Sequence, residues 1–214
     1  VIVSYMTIRM IQNDSIQESM QIYLEQITRE IDSDYYDMIG IVNQMGPNGL
    51  IGSVTESYLS AEDNYNRYFE QKSLREELIK LGYVNTKLLG IAYYDPKEQK
   101  ELIGNFNVRV LDPSYQTISK VVVGAENIIQ AMHASYLGIR ETPVLSVMRR
   151  VSFGNKRVLD IYAEIEPDMS VSDRLNKEKW PYTYMEMDEN GIVQYSNNPV
   201  IVKGQKLLSE LPEK

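Results

Sequence analysis

The first extended pattern in the chain is helical. Between residues 11 and 45, apolar side chains recur at Ile16, Met20, Leu24, Ile27, Ile31, Tyr35, Met38, Val42 and Met45. Steps of three and four lay such a set along one stripe of an α-helix. Gln17, Glu18, Gln21, Glu25, Gln26, Arg29 and Asp32 fall between the stripes and predict a solvated back. Asn13, Asp14 and Ser15 are candidate N-caps, and the run "GPNG" at 46–49 ends the pattern. A helix of about 30 residues is roughly 45 Å long, well beyond the usual length of about 10–14 residues. Such a helix is either a coiled-coil seam or a spine with a domain packed on one side. Residues 50–85 are polar and mostly helical in pattern, with Leu74, Leu78 and Leu81 forming one amphipathic stripe that is expected to end at Gly82.

After residue 86 the period changes. "KLLGIAYYD" (87–95) reads as a strand closed by the turn "DPKEQKE", and "LIGNFNVRV" (102–110) reads as its return. "DPSYQTISK" is a loop, and "AENIIQAMHASYLGI" (125–139) reads as a helix carrying His133. "TPVLSVMRRVS" (142–152), the turn "FGNK" and "RVLDIYAEIE" (157–166) form the clearest hairpin. On its return strand Leu159, Ile161, Ala163 and Ile165 share one face, while Val158, Asp160, Tyr162 and Glu164 share the other. The apolar face needs a cover, and the long N-terminal helix is the expected one. The other face suits a ligand or solvent. A short helical linker, "DMSVSDRLNKEKW", leads to "YTYMEMDENGIVQYSN" (182–197), a second hairpin whose turn relies on Gly191, with Asn190 as a further candidate, for positive φ. No internal repeat or low-complexity segment is present.

Composition narrows the chemistry. With 214 residues the chain holds one large domain or two small ones, and its 43% apolar and 24% charged content is that of a globular protein. A net charge of -8 without a basic cluster argues against a nucleic-acid partner. Cysteine is absent, so disulfides, thiolate metal sites and cysteine nucleophiles are excluded, and a single histidine leaves little for a histidine-based metal site or triad. There is no glycine-rich phosphate loop, and no cofactor is expected. The acidic pairs Asp32/Asp34 and Glu62/Asp63 read as solvated faces. Sixteen tyrosines supply rigid contact area with polar tips, most of it expected in the core. "NDS" (13–15) matches a glycosylation acceptor, a pattern too common to count.

Arg149-Arg150 stands out. Neighbours on a strand point to opposite faces, so one of the two faces a packed or pocket side. There it pairs with a carboxylate, for example Asp160 across the hairpin, or holds an anionic ligand. The opening run "VIVSYMTIRM" is too short to span a bilayer; it is read as a first helical turn or as the trimmed end of a transmembrane helix.

The ordered set "LLGIAYYD", "SVMRRVSFGNKRVLDIYAEIE" and "YMEMDENGIVQYSNNP" behind a long helix resembles the extracellular Cache (PAS-like) sensor domains of bacterial membrane-bound two-component histidine kinases. In that family an arginine-bearing strand precedes a strand that "RVLDIYAEIE" matches loosely, and a final hairpin that "MEMDENGIVQYSN" matches well. The resemblance covers most of residues 10–200 and implies an α+β fold, with the long helix packed on a mostly antiparallel sheet. It divides the chain into the helix (1–45), a membrane-distal ligand-binding unit (46–166), and a linker plus membrane-proximal hairpin (167–214). The last unit is small or partial, since a full one carries further strands.

The function so implied is non-enzymatic: a small extracellular ligand binds, and the helix relays the change across the membrane within a homodimer. The parent protein would have transmembrane helices on either side, with this portion extracellular or periplasmic. By position, the ligand-binding candidates are Tyr93, Asp95, Arg149, Arg150, Asp160 and Tyr162. The alternatives are the ectodomain of a chemoreceptor or cyclase, a stand-alone extracellular binding module, and a carboxylate-only hydrolase.

Overall fold

The computed structural model describes residues 2–104, 126–137, 143–154, 157–167, 183–187 and 190–207, with side chains from residue 15 onward, those of 100 and 101 excepted. The chain divides into two compact units, Val1–Ser33 and Asp34–Lys214. The first consists of the leading part of helix α1, which as a whole runs Ile2–Met45. Ile16, Ile22, Tyr23 and Leu24 lie exposed on this part.

In the second unit, the end of α1 buries Met38, Ile41, Val42 and Met45. The helix stops where the sequence places its glycines, and a Cβ at Gly52 would collide with the carbonyl of Gly46, so the return of the chain at this turn requires glycine. Helices α2 (Gly52–Ser60) and α3 (Asn64–Val84) follow. Asp63 caps α3 by accepting from the Asn66 amide at 2.8 Å. The buried residues of α3 are Leu74, Leu78 and Leu81. The helix runs on through Gly82 to Val84, where Asn85 returns its N–H to the Leu81 carbonyl. A glycine in a helix costs only about 1 kcal/mol relative to alanine, and the cap lies three residues further on.

Five strands form one antiparallel sheet: β1 (Leu88–Asp95), β2 (Lys100–Gly104), β3 (Asn127–His133), β4 (Val144–Phe153) and β5 (Arg157–Ile165), in spatial order β2-β1-β5-β4-β3. The stretch read as a helix at 125–139 is therefore a strand over Asn127–His133, followed by a turn at 136–137. The reason is local. A register irregularity between Gln130 and His133 breaks the period of two, so Ile128, Ile129 and Met132 fall at i, i+1 and i+4, a spacing that also fits a helix. The free groups of this bulge are taken up on both sides. Tyr35 donates to the Gln130 carbonyl at 2.6 Å, and the Met132 amide donates to Glu186 Oε2 at 3.2 Å.

The final hairpin pairs β6 (Met185–Met187) with β7 (Val193–Ser196). Gly191 has φ 73°, as its turn position predicts, whereas Gln99 alone among described non-glycine residues has positive φ. Beyond β7 the chain turns back: Ile192 and Lys206 form an isolated bridge, and the Leu207 amide donates to the Gly191 carbonyl at 3.0 Å. The linker expected as a helix at 168–180 and the loop at 112–120 lie outside the described residues.

Candidate functional site

The registers of β1, β5 and β4 sort their side chains into two faces. Opposite partners Tyr94↔Asp160, Ala92↔Tyr162, Arg150↔Asp160, Met148↔Tyr162 and Ser146↔Glu164 share one face. Tyr93↔Ile161, Ile91↔Ala163, Arg149↔Ile161 and Val147↔Ala163 share the other. The second face is the apolar one, and the end of α1 meets it. Tyr93 OH donates to the Met45 carbonyl at 2.6 Å and stands 2.9 Å from Thr55 Oγ1. Arg149 reaches Asn43 from the same side.

The first face concentrates buried polar groups. Arg150 grips Asp160 with two bonds, Nε to Oδ1 at 2.6 Å and Nη2 to Oδ2 at 3.0 Å, the bidentate geometry in which arginine pairs best with a carboxylate. Asp160 is fully buried, while the Arg150 side chain keeps 24% of its surface exposed. Glu164, also fully buried, accepts from Ser135 Oγ (2.6 Å), Tyr162 OH (2.7 Å) and the amides of Tyr136 (2.7 Å) and Leu137 (3.3 Å). Burial raises the Glu164 carboxyl above its ordinary range, and these donors pull against the rise. Burial likewise pushes the Tyr162 phenol well above its normal value, with the Glu164 charge adding to it.

His133 stands 2.6 Å from Ser146 Oγ through Nε2 and 2.6 Å from the Ala134 carbonyl through Nδ1. A carbonyl only accepts, so Nδ1 carries the proton and Nε2 accepts from Ser146. Burial lowers this histidine to about 4, and its ring stacks on Tyr136 with centroids 4.1 Å apart. Tyr94, Tyr136, Leu137, Met148 and Tyr162 form the apolar part of the same face, with Ile128 against it.

The six residues singled out from the sequence do not converge. Arg150, Asp160 and Tyr162 share the polar face. Tyr93 and Arg149 lie on the opposite face, and Asp95 ends β1, where its carboxylate accepts from the Lys97 and Glu98 amides and pairs with Arg157 at 3.2 Å. Those bonds hold Asp95 below the ordinary carboxylate range against the opposing effect of burial. Glu164, Tyr94, Tyr136, Ser146 and His133 were not singled out. The signal for Glu164 was present, because period two already placed it beside Asp160 and Tyr162.

Asp34, read from sequence as part of a solvated acidic face, is buried and bonded to Lys87 Nζ at 2.7 Å. Among the described residues no group of three histidine or acidic side chains could hold a metal ion, and no helix is long and apolar enough to cross a membrane.

The end of α1 packed on an antiparallel five-stranded sheet is a fold found in a solved histidine-kinase sensor domain. The chain superposes on the sensor domain of the V. cholerae histidine kinase DctB with a TM-score of 0.57 at 12% identity, covering 89% of this chain and 70% of that one. The extracellular domain of a protein assigned as a histidine kinase, rpHK1S-Z16, aligns with a TM-score of 0.44 at 15% identity over 84% of this chain and 67% of that one. No protein-family model matches the chain, and no curated protein matches it.

Proposed function

We propose that this chain is the extracellular or periplasmic sensing region of a membrane-bound histidine kinase, and that it binds a small ligand on the polar face of its sheet. The observation that carries the reading is the buried Arg150–Asp160 pair beside the four-donor Glu164 site, on the face opposite the helix-covered one. A sheet face that served stability alone would do as well or better with apolar residues, because desolvating an ion pair roughly cancels its attraction. The shared fold with the DctB sensor domain supports the sensing role.

Arg150, Asp160, Tyr162, Glu164 and Tyr94 are the ligand-binding residues of this proposal. The helix end packed on the other face is the element that the ligand would displace, since packed interfaces switch between discrete arrangements and do not deform continuously. The exposed Ile16, Ile22, Tyr23 and Leu24 of α1 would form the contact of a homodimer. The region is not itself an enzyme.

The test is a thermal-shift panel of organic acids, amino acids, sugars and short peptides. A ligand at a hundred times its Kd adds about 2.7 kcal/mol, a Tm rise on the order of 5–10 °C for a chain of this size. A saturable rise that Arg150→Met removes supports the proposal. A rise indifferent to every polar-face variant, or no rise across the panel, rejects it.

A further inference from the structure

One lateral row of the sheet runs Asn127, Arg149, Ile161, Tyr93 across β3, β4, β5 and β1, each residue directly opposite the next. Opposite residues point to the same side, so the whole row lies on the helix-covered face. Two of its members bond the last turn of α1. Tyr93 OH donates to the Met45 carbonyl at 2.6 Å, and Arg149 Nη1 donates to Asn43 Oδ1. The helix end is pinned at both points.

The two pins differ. Tyr93 is fully buried, and its hydroxyl is also held by Thr55 Oγ1 at 2.9 Å. Arg149 has a second place to go. Among the described residues its buried Nε meets no hydrogen-bond partner, and neither does the buried Oδ1 of Asn127, the residue directly opposite. The Cβ atoms of opposite residues stand about 4.5–5.5 Å apart, which a guanidinium spans. An orphan donor and an orphan acceptor, side by side and shut off from bulk water, each cost free energy until they meet. Asn43, by contrast, is exposed, so water takes over its bonds when Arg149 leaves it.

We propose that Arg149 is a two-position catch on the end of α1. In one position its guanidinium holds Asn43; in the other it turns onto Asn127 Oδ1, and the helix end swings about the Tyr93–Met45 bond. Its chain neighbour Arg150 faces the other side of the sheet, where it grips Asp160. A movement of β4 at the polar face therefore reaches Arg149 through a single peptide unit. That relay rests on the sensing role proposed above, whereas the catch itself belongs to the chain without ligand.

The experiment follows the Arg149 Nε–H by nitrogen-15 NMR in the whole chain with no ligand added, the resonance being assigned by its loss in Arg149→Lys. Asn43→Ala removes one partner at an exposed position. The guanidinium then settles on Asn127, and solvent exchange of the Nε–H slows about tenfold, as a bond from a charged donor requires. Adding Asn127→Val removes the second acceptor and returns the exchange to its wild-type rate. Tm gives an independent reading. Each single variant leaves Arg149 one partner and the double variant leaves it none, so the double loses more than the sum of the singles. An unchanged rate in Asn43→Ala, a slowed rate that survives Asn127→Val, or additive Tm losses overturns the assignment. A ligand panel without a hit alters none of these readings, so failure of the sensing role and failure of the catch are told apart.

Discussion

The two faces of the central sheet are built from the same strands and differ in what they bury. On one, Ile91, Leu159, Ile161, Ala163, Leu145 and Val147 are fully buried and apolar, with Tyr93 OH bonded to the helix backbone. On the other, Asp160, Glu164 and Ser146 are just as deeply buried and polar. The apolar face gains stability in proportion to the area it removes from water, at about 25 cal/mol per Å². The polar face gains in the same way from Met148, Tyr162 and Leu137, but each of its charges must first be desolvated, and its bonds then offset that cost. Both faces thus contribute apolar burial, and the polar one in addition fixes the orientation of charged groups.

Breaking one half of the ion pair has the largest expected effect. Arg150→Met leaves Asp160 buried without its cation and costs about 3–5 kcal/mol, read from urea unfolding. Replacing both members, Arg150→Met with Asp160→Leu, brings stability back to within about 1–2 kcal/mol of wild type while abolishing any ligand response. A double variant as unstable as the single one would show that the pair is structural. On the apolar face, Ile161→Ala opens a cavity in a fully buried site and costs about 2–5 kcal/mol, with no second substitution elsewhere on the sheet able to restore it.

The pH dependence separates the groups of the polar face. His133 is depressed to about 4 in the folded chain from an ordinary value near 6.5. Between those values the unfolded chain binds more protons than the folded one, so this group's contribution is present above pH 6.5 and is lost as pH falls toward 4. The loss is on the order of 3 kcal/mol, and His133→Gln, which keeps an acceptor for Ser146, flattens that limb. Glu164 and Glu186 are shifted the other way, upward, through burial first. Their contribution is present below the ordinary glutamate value and is lost as pH rises through the raised one, so Glu164→Gln removes part of the decline that sets in above the ordinary glutamate value. Stability measured against pH in the two variants reads both signs.

The smallest effect lies off both faces. Gly191→Ala forces a side chain into a φ of 73° and costs about 1–2 kcal/mol, detectable as a lower urea midpoint with the polar-face ligand response intact.

Much of this was legible in the sequence, for physical reasons. The stripe at 16–45 and the alternation at 157–165 are long, unbroken periods, and they correctly gave the helix, the strand and the grouping of Asp160 with Tyr162. What was lost depended on register. Adjacent residues face opposite sides, but only the pairing of β4 with β5 decides that Arg150, and not Arg149, lies opposite Asp160. The same holds for Tyr94 against Tyr93. Strand β3 was hidden by its bulge, and the burial of Asp34 by a partner 53 residues away.

The central claim is that ligand meets the polar face first. Met148 lies on that face, opposite Tyr162, and Met38 and Met45 lie buried at the end of α1. With methyl-labelled methionine, titration of a panel ligand should move the Met148 resonance in proportion to occupancy and leave Met38 and Met45 smaller shifts. Large shifts at Met38 or Met45 with Met148 unmoved would place the ligand on the wrong side of the sheet and contradict the account.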